Sequence, residues 1–592
     1  MDVRTIQARY DNGKAYFKQM GFYKLFPECE RMRAGIQWPP KTERTKNLPR
    51  PVLNVIKDIE THKISNILQE PMKMIFQPEE AEDEQATAAS DLFSKYSQTA
   101  WENMKQDKLN ENGLTTCANI GTMIYHYYWD NTIEGGKTVQ YIGDVAGEEI
   151  DPINCMAGNP QSKDTQKQPY WLITSRDLLD HIKEEAKTNG IADKDIQNIL
   201  GDKNTYDEAY DTSRYEVTGV DKATVITQYW KEKGTVHMMK VCGSVVIKED
   251  TDTQHTLYPL AVMAWHERTK SIYGKGDTDE IIPNQKAINL MIAMQMMSVQ
   301  LSGMPRLMVN RSVIQGNVTN DPQNIISFNS GTAGEAAQYL QPPNISAITE
   351  TLTNFLMVQT KSLNGASDYT TGELMRGGGV VNATAIMLLQ KAAAVPIEQI
   401  KDRFQRMIED IGRIWLEFWT INYNTTRMAT LKDEATGQMQ NQEFKGTDFK
   451  GINLRIKIDV GASTQYSESI MMTSLDNFLK EGYISFPQYL QLAPQAVIPF
   501  KDTLTKMLEA QQEQEMQIQS MSLNPQEIQA FLQAPPQVQA SLLAQMQLKP
   551  QGDPQQPGQP QQGQQPQGAM KNPVPNQNAM PNPAKVEGQA VL

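Results

Sequence analysis

Residues 281–305, IIPNQKAINLMIAMQMMSVQLSGMP, open the stretch that decides the fold, and that stretch runs on to Tyr423. Pro283 falls in the first turn of the helix this pattern predicts, where a proline costs nothing, and Gly303-Met304-Pro305 ends it. From Ala287 to Pro305 there is no charge, and the apolar residues are mostly Met, Ile and Leu. A second helix, ISAITETLTNFLMVQTKSLNG, follows Pro342-Pro343-Asn344 and places Ile345, Ile348, Leu352, Phe355 and Leu356 on one face. Each helix has about 20 residues, hence roughly 30 Å of length. After the loop ASDYTTGELMRGGGVV comes NATAIMLLQKAAAVPIEQIKDRFQRMIEDIGRIWLEFW. Its second half sets Ile397, Ile400, Phe404, Met407, Ile408, Ile411, Ile414, Trp415 and Phe418 at three/four spacing, the signature of a buried helical face. Pro396 lies inside that helix, where a proline removes one backbone bond and either kinks the axis or divides it in two.

Outward from this stretch the chain is mixed. Residues 1–50 read as an arm leading into the fold. Leu53 to Leu68 and Ala86 to Asn112 have helical periodicity, with Gly113 at the boundary of the second. GTMIYHYYWD and KTVQYIGDV, joined by NTIEGG, predict a β-hairpin. TSRDLLDHIKEEAK predicts a helix capped by Ser175 with Asp177 in its first turn. VITQYW, TVHMMKVC, SVVIK and YPLAVMAW predict an antiparallel meander turning at Lys233-Gly234 and Thr251-Asp252. The insert between the first two helices has short strands, Gly and Pro, and too little apolar mass for a core of its own. A polar hairpin then leads into a strand with Leu454, Ile456, Ile458 and Val460 alternating, and helices return from Glu468 to Glu509. Beyond Gln511 two short helices are expected, and from Pro550 the Gln, Pro, Gly and Asn composition predicts disorder.

Composition narrows the function classes. The 592-residue chain has 39% hydrophobic residues and a net charge of -13, which argues against a protein that grips nucleic acid through a basic surface. Its start, MDVRTIQARYDNGK, has no signal-peptide pattern. Ala287 to Met304 is about long enough to span a bilayer but is interrupted by Asn289, Gln295, Ser298 and Gln300. Cys29, Cys117, Cys155 and Cys242 match no motif and read as reduced core thiols. Gly135-Gly136-Lys137-Thr138 imitates the end of a phosphate-binding loop, yet Asn131 stands where the pattern needs glycine and a strand follows; a hairpin turn is the reading. Tyr273-Gly274-Lys275-Gly276-Asp277 is a glycine-rich turn without nucleotide-fold context. Asp250, Asp252 and His255 fall in one predicted turn but lack calcium-loop spacing, and the six histidines show no paired metal spacing. No catalytic constellation, metal set or cofactor motif emerges.

Together YGKGDTDEIIPNQKAIN, GELMRGGGVVNATAIMLLQKAAA and IGRIWLEF resemble the portal (head-to-tail connector) proteins of tailed bacteriophages, particularly the long portals of short-tailed phages. The resemblance extends upstream through YIGDVAGEEIDPINCMAG and downstream through IKIDVGASTQYSESIMM, roughly residues 50 to 500, and rests on order and spacing rather than on one diagnostic motif. It implies an α+β, mainly α, portal fold: wing (1–280), first stem helix (281–303), clip (304–344), second stem helix (345–364), tunnel loop (365–383), long kinked wing helix with β-hairpin (384–465) and crown (466–510). A Gln-rich helical extension (511–548) would form a barrel, with a disordered tail at 549–592. It further implies a ring of 12 subunits at the unique capsid vertex, assembled in the bacterial host cytoplasm and without membrane. The partners would be double-stranded DNA passing without sequence recognition, the terminase large subunit, major capsid and scaffolding proteins, and a tail adaptor. Asp368, Tyr369, Glu373, Arg376 and Gly377, Gly378 and Gly379 would approach the duplex, Pro396 would kink the wing helix, and Asn289, Gln295 and Gln300 would belong to the stem. A simple flexible linker is the alternative for the three glycines. A membrane-inserting pore built on Ala287 to Met304 and a nucleotide-hydrolysing motor subunit built on Gly136-Lys137-Thr138 are the alternative functions.

Overall fold

The computed structural model describes residues 2–69, 72–79, 84–136, 139–202, 222–303, 307–315, 327–329, 332, 337–339, 347–366, 383–432, 439–452, 454–459, 465–493, 504 and 507. Residues 1–474 make one compact unit and those from 475 onward another. Two helices, α1 (Val3–Met20) and α2 (Phe22–Arg33), stand where the sequence suggested an arm. They meet at Gly21, whose φ of 75° is left-handed and suits glycine. Ile6, Phe17, Phe22 and Phe26 are buried in the largest core cluster, so a sparse apolar stripe among many charges was enough to dock them.

Next come α3 (Val55–Ile67) and β1 (Lys73–Pro78), the helix capped by Asn54, which accepts the Lys57 N–H. The single helix expected over 86–112 is two, α4 (Glu84–Asn103) and α5 (Gln106–Ile120), broken at Lys105 with φ 53°. Gly113 sits inside α5, because the Tyr125 ring packs where a Cβ would be. The predicted hairpin is β2 (Thr122–Gly135) and β3 (Tyr141–Ile150), paired antiparallel. A strand thus follows Gly136, where a phosphate-binding loop requires a helix.

Strands β4 (Cys155–Ala157) and β5 (Tyr170–Leu178) precede α6 (Leu179–Thr188) and α7 (Asp193–Ile196). Ser175 is not a cap: it lies within β5 opposite Val225, and α6 begins after Leu178 without a side-chain cap. With β6 (Lys222–Glu232), β7 (Thr235–Cys242) and β8 (Val245–Asp252) these strands form an antiparallel sheet in the order β4-β5-β6-β7-β8. Lys233 and Gly234 turn with positive φ as expected, whereas Thr251 and Asp252 end β8 instead of turning. The fourth expected meander strand, β9 (Leu260–Ala264), crosses instead to a sheet of order β3-β2-β9.

The central stretch gives α8 (Asp277–Gly303) and then the antiparallel pairs of β10 (Leu307–Val309) with β13 (Ala337–Tyr339) and β11 (Ile314–Gln315) with β12 (Ser327–Phe328). Helix α9 (Ala347–Leu363) follows, then α10 (Ala383–Asn422), one helix of 40 residues that continues through Pro396. The predicted hairpin is β14 (Arg427–Lys432) with β15 (Met439–Phe444), and β16 (Leu454–Asp459) pairs with β1. Helices α11 (Gln465–Lys480) and α12 (Phe486–Leu492) complete the described elements, and residues 511–592 lie outside them. Helices and antiparallel sheets share the chain, a mixed α/β architecture.

The three/four stripe of α10 is the spine of the second core cluster: Ile397, Ile400, Phe404, Met407, Ile408, Ile411, Ile414 and Trp415 are all buried. Trp419 stacks on Phe93 at 5.6 Å and packs edge-on to Tyr96 at 5.2 Å, tying α10 to α4. Arg427, also buried, lies over the Tyr423 ring at 3.5 Å and within reach of Asp144. All four cysteines are free and buried; burial raises the Cys242 thiol to about 11.

Candidate functional site

Helix α8 changes character along its length. Its first turn is fixed by buried charge: the Asp277 carboxylate accepts from Lys63 Nζ at 2.6 Å and pairs with His266 Nε2 at 2.8 Å. Burial raises the Asp277 pKa, but the His266 hydrogen bond and the Lys63 charge outweigh it and hold it below the usual range. Beside it Thr278 donates to Glu60, whose other oxygen accepts from Arg33 Nε at 2.6 Å. Burial pushes Glu60 up to about 7, against the opposing pull of Thr278 and Arg33. Acidic side chains in the first turn also suit the positive end of the helix dipole.

Two turns later Gln285 and Asn289 stitch α8 to the start of α3. Gln285 Oε1 accepts the Val55 N–H at 2.9 Å and its Nε2 donates to Leu53 O at 2.6 Å. Asn289 donates to Gln37 and accepts the Leu53 N–H. These amides satisfy backbone groups that the entry into α3 leaves open. Asn289 is 2% exposed and so faces the interior of the subunit.

After Ala293 no residue of α8 is buried. The face that carries Gln285, Ile288 and Asn289 into the core continues with Met296 and Val299, which stand seven or eleven residues further on and so lie on the same side of the helix. Val299 is 72% exposed. Leu290 and Met294 are exposed on another side.

Helix α9 runs antiparallel to α8 along a polar seam. Asn284 Nδ2 donates to Thr360 Oγ1 at 3.2 Å, and Gln295 Nε2 donates to Thr353 Oγ1 at 3.3 Å. Both threonines are buried, and Thr353 also donates back to Thr349 O at 2.8 Å. Lys361 pairs with Asp58 of α3 at 2.8 Å. Of the apolar face read from the sequence, Leu356 packs against the core, but Leu352 and Phe355 are exposed, as are Val358 and Leu363. Gln295 thus belongs to the seam, and Gln300 is exposed on the last turns of α8.

Asp368, Tyr369, Glu373, Arg376, Gly377, Gly378 and Gly379 lie outside the described residues; Pro396 is exposed within the unbroken α10. Of the turn residues Asp250, Asp252 and His255, the first and last meet different partners. His237 Nδ1 contacts Asp250 Oδ1 at 2.8 Å, whereas His255 is buried against Phe418 with ring centroids 4.3 Å apart. Sequence reasoning also missed the amide stitch. Its signal was present, since Gln285 and Asn289 are an i,i+4 polar pair within a run of Ile, Leu and Met.

Among the described residues no helix is long and apolar enough to cross a membrane. No family model matches this chain, and no curated protein matches it.

Proposed function

We propose that the chain is the subunit of a portal-type ring, the structural channel through which double-stranded DNA enters and leaves a phage head. One observation carries this reading: two long antiparallel helices, α8 and α9, whose outward apolar faces are covered by none of the described residues. Soluble monomers rarely expose such patches, and burying one Leu, Val, Met or Phe contributes about 1.5–3 kcal/mol. Leu290, Met294, Met296, Val299, Leu352, Phe355 and Val358 are all exposed, and their burial between copies would favour assembly. A mean of flexible Met and branched Val on these faces suits packing between neighbours whose spacing must adjust.

The resemblance gives the assembly its form. The α8 and α9 helices line the axial channel as a stem. Residues 304–344 form the clip, which docks the terminase large subunit during packaging and a tail adaptor afterwards. The loop of 365–383 approaches the duplex, and capsid and scaffolding proteins surround the ring at its vertex. The acidic balance of the chain supports a conduit: a wall sharing it repels phosphates and holds no DNA. The test is the mass and shape of the purified full chain, by mass photometry and negative-stain microscopy. Closed rings with a central hole are expected; monomers persisting at micromolar concentration would overturn the proposal.

A further inference from the structure

Between the five-stranded sheet and the β2–β3 hairpin lies a cleft of about 610 Å³, also lined by Phe418 and Asn422 of α10. Its size is that of small-molecule sites, roughly 300–1,000 Å³. Side-chain alternation brings Thr227 and Tyr229 of β6, and Met238 and Lys240 of β7, to one face of the sheet. Thr227, Lys240 and Lys248 are successive partners across β6, β7 and β8, so two lysines are cross-strand neighbours in the lining of the cleft, close enough for the charge of one to act on the other.

These lysines are unequally matched. Lys240 binds Glu185 at 2.7 Å. Lys248 has no carboxylate partner among the described residues. Burial, and then the charge of Lys240, hold its ammonium below the ordinary lysine pKa, with Glu185 pulling the other way. A half-buried cation beside a like charge is relieved by an anion.

Two residues along β6, roughly 7 Å away at strand spacing, the chemistry changes. Tyr229 OH is 2.9 Å from His126 Nε2, and His126 Nδ1 is 2.9 Å from Glu148 Oε1. Glu148 selects the tautomer with hydrogen on Nδ1, so Nε2 accepts the Tyr229 proton and the phenol oxygen is left to accept from a ligand hydroxyl. Tyr128 stacks on His126 with ring centroids 5.4 Å apart.

We propose that this cleft binds a sugar phosphate, free or as part of a nucleotide, with the phosphate at Lys240 and Lys248 and a ring hydroxyl at Tyr229. The offset of two strand residues between the lysine pair and Tyr229, roughly 7 Å along the backbone, is on the scale that separates a phosphate from the far hydroxyls of its pentose. The site is independent of the ring assembly and needs no covalent step.

The experiment is calorimetric titration of the full chain with ribose 5-phosphate, adenosine 5′-monophosphate, inorganic phosphate and ribose. Saturable binding of ribose 5-phosphate, at least tenfold tighter than inorganic phosphate or ribose, is expected. Lys248→Gln should weaken it about tenfold and Tyr229→Phe several-fold, with unchanged circular dichroism. Thr227→Val serves as a second floor variant should Lys248→Gln fail to fold. Tighter binding of the nucleotide would support a nucleotide as the occupant; equal binding would support a free sugar phosphate. Absence of saturable binding at millimolar probe, inorganic phosphate binding as well as the sugar phosphate, or full affinity in the floor variant that folds would each overturn the proposal.

Discussion

The second half of α10 and the second half of α8 carry apolar side chains of the same kind and meet opposite fates. On α10, Phe404, Ile411 and Trp415 are covered by α4, α5 and the sheets, and each is at most 2% exposed. On α8 the core-facing side runs out of partners beyond Ala293, and Met296 and Val299 are left open. Periodicity alone does not separate these cases. A stripe states that a face will be buried, and the rest of the chain decides whether its own core or another copy does the burying.

The comparison breaks first at α10. Phe404→Asp places an unpaired charge among Met407, Ile408 and Trp415, at a cost of several kcal/mol, on the order of a domain's whole stability. The expected outcome is insoluble or unfolded chain, measured by soluble yield and circular dichroism. A folded, normally assembled Phe404→Asp protein would mean that the α10 face is not the core it forms here.

The same charge on α8 and α9 should act differently. Val299→Asp with Phe355→Asp alters two exposed positions, so the thermal unfolding of the subunit should move little. Assembly should be lost, because the charges would be desolvated only between copies. Sedimentation velocity reads the difference. Intact rings from the double variant would leave these faces without a role in association.

Much of this architecture was legible in the sequence, and the failures share a cause. The α10 stripe, the α8–α9 pair and both long hairpins declare themselves by local period or local turn chemistry. The docking of α1 and α2 does not: Ile6, Tyr10, Phe17, Phe22 and Phe26 are spread among charges, and it is the distant Tyr273, β4, α5 and α8 that make them part of a core. Likewise β9 reads as the next strand of a meander. It leaves because Glu417 of α10 holds the preceding loop, accepting the Thr256 N–H at 2.6 Å and the Leu257 N–H at 3.0 Å, which aims the chain at β2. The partners of Asn289 were not legible for the same reason, since Gln37 and Leu53 lie more than two hundred residues away. Helix existence is a local property here, while which side is covered is not.

The third test probes the anchored end of α8, through Glu60 of α3, the buried carboxyl that its first turn meets at Thr278. Glu60 has a folded pKa of about 7 against 4.5 unfolded. Below about pH 4.5 it is protonated in both states and its contribution is fully present; as pH rises toward 7 the unfolded chain ionises first and the contribution is lost. Glu60→Gln should therefore gain stability relative to the wild type across that window, by on the order of 1–3 kcal/mol. The readout is the pH slope of chemical denaturation rather than the absolute value. A constant difference between the two proteins through that window would show that burial of Glu60 in α3 does not hold its carboxyl protonated.

The smallest expected effect comes from the seam that joins the exposed pair. Thr353→Val and Thr360→Val keep side-chain shape but remove the hydroxyls that meet Gln295 and Asn284. Each lost hydrogen bond is worth about 0.5–1.5 kcal/mol net, and Gln295 is exposed enough to take water instead. The subunit should unfold at nearly its normal denaturant midpoint, since its core lies elsewhere. A seam this weak cannot hold α9 against α8 as firmly as the aromatic packing holds α10 against α4. If neighbouring copies supply the missing restraint, the double variant should exchange the α9 backbone amides faster than the wild type when monomeric, and match it once assembled. Equal exchange in both forms would mean that the pair is rigid without neighbours, and that its open apolar faces are not what orders it.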